Sequence, residues 1–248
     1  MIVATLALLL LGTAPQDDAV VEEALRGWKH PWADFGDGAQ IVARETSRQP
    51  DIGPAGKLVY KDVTNEITTT VMASAGEKTT LRIAGAGQES EFPFFTSLPG
   101  WARGRGERRG TELVEVAGAK RECQVTTIAL DAGKDASQVT TIWKSPEVPY
   151  WAARRRTETL AQGTANTWEE ERVLEVGAKV KVGDREVPCV VVECTVEALG
   201  GTKTVKKEWR SDEVPGRVAR RETRQYLNGK EQESGYSQME VVKVRGRR

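Results

Sequence analysis

CQVTTIALDAGKDASQVTTIWKSPEVPYWAARRRT, residues 123–157, lies over CVVVECTVEALGGTKTVKKEWRSDEVPGRVARRET, residues 189–223, at a constant offset of 66 residues and without a gap. Thirteen of the 35 positions are identical, where ordinary composition gives about two. Cys123 matches Cys189, Trp143 matches Trp209, Ser145 matches Ser211, and Glu147-Val148-Pro149 matches Glu213-Val214-Pro215. A self-similarity of this length marks a repeated supersecondary unit. Its content reads as β structure. Val190, Val192, Cys194 and Val196 alternate with Val191, Glu193, Thr195 and Glu197, so the even positions face a core. The same offset sets Ile128 and Leu130 on that face and Thr127 and Asp131 on the other. Cys194 then fills the slot of Ile128 and reads as a small buried hydrophobe. Each unit runs strand, turn, strand, turn, strand, the first strand opening at the shared cysteine. Loops at 131–136 and 199–201 follow that strand. Ser145 and Ser211, with Pro146 or Asp212 next, suit a type I turn. Val148-Pro149 and Val214-Pro215 are expected to open the third strand, because the residue before proline is pushed extended and proline cannot donate to a central ladder.

Outward from the repeat, Trp32, Trp101 and Trp168 recur at spacings of 69 and 67 residues, yet no Trp-x-Ser-x-Glu-Val-Pro lies within 32–98. Two copies are therefore read, at 101–160 and 161–248, the second carrying a C-terminal strand and a basic tail. Residues 30–100 form an N-terminal β unit that a divergent third copy would explain. Residues 17–29 predict a short helix, with acidic residues first, Val20, Val21, Ala24 and Leu25 at helical spacing and Gly27 as its stop. The apolar run 2–11 has the length of a signal-peptide core, and small residues Gly12, Thr13 and Ala14 follow it; residues 1–15 are read as an export signal. No Lys or Arg precedes the run, and Pro15 is a poor context for cleavage after Ala14. The expected location is secreted or periplasmic, with no span left once the signal is removed.

Lys plus Arg and Asp plus Glu each number 36, so the formal net charge is zero. No global basic field exists to hold nucleic acid, and Phe plus Tyr, four of each, are few for stacking on bases. One histidine and three cysteines leave little for general-base or metal chemistry. Neither a C-x-x-C pair nor a zinc spacing occurs, and Cys189 and Cys194, five apart on one strand, face opposite ways. A Cys123–Cys189 bridge is left open. His30, between Trp28 and Trp32, is either a base in an aromatic pocket or a satisfied histidine at the helix-to-sheet junction, and no motif places a nucleophile beside it. Gly85-Ala86-Gly87 and Gly104-Arg105-Gly106 lack the helix that a phosphate loop needs. Glu147 and Glu213, the only glutamates fixed by the repeat, read as turn residues, solvated or paired with a nearby arginine, rather than as catalytic acids. Arg154, Arg155, Arg220 and Arg221, with Arg156 and Arg217 beside them, form either an anion-binding strip or a strand face laddered against Glu169, Glu170, Glu171 and Glu222. Trp143 and Trp209 read as core. Trp151, whose slot in the second copy is filled by Arg217, and Trp101 are the better contact surface.

The phrase Trp209-Arg-Ser-Asp-Glu-Val-Pro-Gly-Arg-Val-Ala-Arg220, preceded by Val182-Gly-Asp-Arg-Glu-Val-Pro-Cys-Val-Val-Val-Glu193, resembles a family of uncharacterised secreted repeat proteins of planctomycete-type bacteria. The opening His30-Pro-Trp-Ala-Asp-Phe-Gly-Asp-Gly38 is similar to the start of the same family, while Tyr150 stands where the family phrase has glycine. The resemblance implies a secreted β protein and carries no activity. More distantly, the turn-Val-Pro junction is similar to the bacterial outer-membrane lipoprotein carriers, whose curved sheet holds an acyl chain. The expectation is a mainly β protein with curved antiparallel sheet built from tandem units of about 66 residues and a short N-terminal helix. It is expected to be non-catalytic, without cofactor or metal, and to bind a lipid-like ligand or a partner protein through a sheet face bearing Trp101, Trp151, Arg154, Arg155, Arg220 and Arg221. The alternatives are a structural envelope protein without a pocket, or a carboxylate-only hydrolase, which needs two acids about 5–9.5 Å apart in a cleft. An apolar pocket of roughly 300 Å³ between sheet and helix would favour the first.

Overall fold

The computed structural model describes residues 18–25, 30–75, 78–95, 104–131, 136–148, 152–161 and 164–246. The expected export signal over 1–15, Trp101 and Trp151 lie outside them. One helix, α1 (Asp18–Leu25), precedes the strands β1 (Gln40–Ile52), β2 (Leu58–Ala75), β3 (Lys78–Gly85), β4 (Gln88–Phe95), β5 (Gly104–Val116), β6 (Ala119–Asp131) and β7 (Ala136–Lys144). They are followed by β8 (Arg154–Ala161), β9 (Thr164–Val182), β10 (Arg185–Ala198), β11 (Thr202–Arg210), β12 (Val218–Leu227), β13 (Lys230–Glu231) and β14 (Ser237–Arg245). No helix among the described residues is long and apolar enough to cross a membrane.

All strands join one antiparallel sheet in the order β4-β3-β2-β1-β14-β12-β11-β10-β9-β8-β7-β6-β5, with β13 beside β12. Strands adjacent in sequence pair by tight turns: Val116 opposes Ala119 and Val182 opposes Arg185. β14 inserts between β1 and β12, tying the first hairpins to the last, and β4 and β5, successive in the chain, are the two ends of that order among the described residues. A twisted open sheet of this size curls, because sheets beyond about ten strands seldom stay open and flat. The two larger of its three core clusters among the described residues meet at β10. Trp32, Phe35, Ile41, Val71, Leu81, Val187, Cys189 and Val214 belong to one, and Val116, Cys123, Val125, Trp143, Val148, Val190 and Val192 to the other. Val187 and Cys189 alternate with Val190 and Val192 along β10, so the two cores lie on opposite faces of that strand.

Both edges are blunted. Pro93 sits in β4, and β5 carries a bulge between Arg108 and Gly110. Helix α1 covers part of β5, with Ala24 packed on Ile128, Ile142 and Ala152. A Cβ on Gly106 would come within 2.9 Å of Val20, so the missing side chain lets the helix sit flush on the strand. The space beneath α1 is thus filled by Val21, Leu25 and these residues.

Three sequence expectations are corrected. The first strand of each unit opens at Ala119 and Arg185, four residues before the shared cysteine, because two-residue hairpins at 117–118 and 183–184 set the start. The third strands open at Arg154 and Val218, not at Val-Pro. The Val148 and Val214 amides donate to the carbonyls of Ser145 and Ser211, and Arg217 N donates to Val214 O, so the turn continues and buries the valine as a plug. Finally, the odd face of β10 is not the wet one at its first half: Val187, Cys189 and Val191 are buried as deeply as Val190, Val192 and Cys194.

Matched positions meet matched partners. Arg154 lies over the Trp143 ring at 4.8 Å and Arg220 over the Trp209 ring at 4.7 Å. Ser145 Oγ accepts from Glu147 N, and Ser211 Oγ accepts from Glu213 N. Trp143 is buried, whereas Trp209 is half-buried against its core.

Candidate functional site

The arginines singled out in the sequence do not make one surface. Arg154 and Arg155 are neighbours on β8, so they face opposite ways, as do Arg220 and Arg221 on β12. Arg154 stacks on Trp143 and pairs with Glu170 at 3.0 Å; Arg220 stacks on Trp209 and pairs with Glu222 at 2.6 Å. Arg217 stands in the turn before β12, paired with Asp34 at 2.8 Å and Asp212 at 3.2 Å. Glu147 and Glu213 are held by Arg121 and Arg185.

Arg155 and Arg221 anchor the two ends of an ion-pair lattice. Arg155 pairs with Glu169 and Glu171, Arg210 joins Glu171 (2.7 Å) to Glu208 (2.6 Å), and Arg221 meets Glu208 at 2.7 Å. The side chain of Glu208 is only 7% exposed. Burial pushes its carboxyl up, but the Arg210 and Arg221 charges and hydrogen bonds outweigh that and hold it below the usual range. The matched position of the first unit is Ile142, a core residue under α1, and Ile128 beside it corresponds to Cys194. The face that the helix covers around Ile128 and Ile142 is therefore covered, around Cys194 and Glu208, by charge pairs. That exchange is the signal in the sequence for the lattice: one carboxylate at a position whose counterpart is isoleucine.

Glu169, Glu171 and Cys194 bring their ligand atoms within 4.8 Å of one another. The donor chemistry does not suit a cation, since Arg155 and Arg210 hold both carboxylates and the thiol is protonated. Burial first, then the charges of Glu171 and Glu169, push the Cys194 thiol up to about 12. Burial likewise raises Cys189 to about 11, and all three cysteines are free and buried. Cys123 and Cys189 sit in different cores. His30 accepts from the Trp32 amide through Nδ1 at 3.4 Å, and burial lowers its pKa.

The cleft with an apolar lining is elsewhere. β9 bulges twice opposite β10, leaving Gly177 and Leu174 without partners in the register. Bulges bend a strand and open a gap in its ladder. Here they leave a cleft of about 300 Å³ between Val176, Pro188, Cys189 and Val190 on one side and the turn Ser211, Asp212 and Glu213 on the other, with Arg210 and Arg217 at its rim. Val176 is 42% exposed within it. The cleft lies against the Trp-x-Ser-x-Glu-Val-Pro turn, not beneath α1 as the sequence led one to expect. Gly177, a lone glycine inside a strand pattern, is the residue that could have pointed to it.

No family model and no curated protein matches the chain, so the resemblance to the planctomycete-type secreted proteins gains no support. Among solved structures, the chain is similar to a protein described as an outer membrane lipoprotein-sorting domain from Vibrio parahaemolyticus, at 9% identity over 92% of this chain and 91% of that chain. The TM-score is 0.28, and a likeness of that size carries neither fold nor ligand across.

Proposed function

We propose that this protein is a non-catalytic, exported or periplasmic binding protein that takes a hydrophobic or lipid-like group into the cleft between the bulged β9 and the 211–217 turn. The observation that carries the reading is the cleft itself: about 300 Å³, walled by Val176, Pro188, Cys189 and Val190, at the lower end of ligand-pocket volumes. A linear apolar group fits this volume, and Arg210 and Arg217 beside it are already neutralised by Glu171, Glu208, Asp34 and Asp212, so the cleft carries no demand for a charged head. The absence of catalysis is supported by chemistry: the inner carboxylates are claimed by arginines, and the buried thiols are held protonated at neutral pH.

The test uses the fluorescent apolar probe N-phenyl-1-naphthylamine with palmitate as competitor. Saturable binding displaced by palmitate is expected, and Val176→Glu, at an exposed site that tolerates a carboxylate, weakens it by about tenfold or more. Absence of saturable binding, or binding unchanged in Val176→Glu, overturns the reading. A partner-protein role is favoured by a separate feature. The β1–β2 ribbon runs past the last β14 pair at Ser47 and ends in Ile52 and Leu58, directly opposed and 78% and 63% exposed. Probe binding lost in Ile52→Ser/Leu58→Ser but kept in Val176→Glu would transfer the site to that ribbon.

A further inference from the structure

A second concavity of about 500 Å³ lies on the stretch of sheet made by β8, β9, β10 and β11, away from the apolar cleft. Trp168 on β9 stands between Glu158 of β8 and Glu197 of β10 in the register, with Thr195 and Glu170 paired beside it. Alternation places Arg172 and Glu170 on the Trp168 side of β9, and Glu193, Thr195 and Glu197 together on β10. The result is a trough floored by a half-buried indole within a field of charged groups.

The charges are arranged in pairs that cancel. Glu158 pairs with Arg156 (2.9 Å), Glu170 with Arg154 (3.0 Å), Glu193 with Arg172 (2.7 Å) and Glu197 with Lys203 (2.8 Å). With Glu169, which also lines the trough and pairs with Arg155, five carboxylates stand against five cations, and no net charge favours an ionic ligand of either sign. Each of the first four carboxylates meets its cation through Oε1. The second oxygen of each is oriented by a fixed partner and is suited to accept from a hydroxyl. An apolar ligand would desolvate these groups without replacing their hydrogen bonds, which is costly. A neutral polyhydroxylated ligand meets both demands: its C–H face covers the indole, and its hydroxyls donate to carboxylates and accept from guanidinium groups. Four strands at about 4.8 Å spacing make the trough about 14 Å across, the span of a short oligosaccharide.

We propose that this trough is a carbohydrate-binding site, with Trp168 as the stacking platform and Glu193 and Glu197 as hydroxyl acceptors. It is independent of the apolar cleft, and either can fail without the other. The test titrates the intact protein with cellotetraose, chitotetraose and mannotetraose at up to millimolar concentration, followed by calorimetry and saturation-transfer NMR. At least one is expected to bind, with its C–H protons saturated through the indole. Trp168→Ala should weaken that binding about tenfold or more, and Glu197→Gln, a conservative change on the exposed sheet face, by about threefold or more, with thermal unfolding of the latter unchanged. Naphthylamine probe binding should persist in both. Failure of all three sugars to bind, or affinity unchanged in both variants, overturns the proposal.

Discussion

Replacing Glu208 by glutamine tests the ion-pair lattice at its most buried member. The amide keeps the volume and removes the charge, so Arg210 and Arg221 lose their shared counter-ion. Removing one partner of a fully buried pair costs about 3–5 kcal/mol, because the other charge is left uncompensated. Two features lower that figure here: Arg210 keeps Glu171 at 2.7 Å, and the Arg221 side chain is 38% exposed to water. The amide oxygen also retains one acceptor. A loss of about 2 kcal/mol follows, near the value of one hydrogen bond to a charged group. For a chain of this size, that lowers the thermal midpoint by about 4–8 °C. The pH dependence fixes the cause. A carboxyl held below its usual value in the folded state stabilises fully above the ordinary glutamate range and loses that contribution as pH falls through its folded-state value. The gap between native protein and variant should therefore be full at neutral pH and shrink on the acid side of about pH 4.3. Urea unfolding followed by tryptophan fluorescence, at neutral pH and at successive acid steps, measures both. A variant within about 0.5 kcal/mol of native at neutral pH, the scatter of ordinary surface changes, or a gap that does not narrow in acid, would refute the argument.

The buried thiols provide a second check. With Cys189 at about 11 and Cys194 at about 12, iodoacetamide at mildly alkaline pH should leave the native protein unlabelled and modify all three cysteines once urea is added; prompt labelling of the folded chain would show that the thiols are not held as described. Gly216 offers a third. It has φ +77°, and a Cβ there would lie 2.7 Å from Trp32 Cε2, so Gly216→Ala combines left-handed strain with overpacking of the core and should cost about 2–4 kcal/mol. A loss below about 1 kcal/mol in calorimetry would mean that the turn and Trp32 are not in that contact.

The residues of this chain determine its β character, the short helix at 18–25 and the local form of its turns, because alternation, proline placement and Ser-x-Glu turns act over a few neighbours. Their effect is visible in Val190 and Val192, in Ser145 and Ser211, and in Ala24 on the helix. What tertiary structure decided is which neighbours meet. β14 inserting between β1 and β12 is a long-range pairing with no local signature. Burial of both faces of β10 arises because distant residues pack on each, Trp32 and Val214 with Val187 and Cys189, Trp143 and Val148 with Val190 and Val192, which alternation on a single strand cannot register. The lattice through Glu208 and the trough at Trp168 depend on register between four strands, and a shift of one residue would send each side chain to the opposite face.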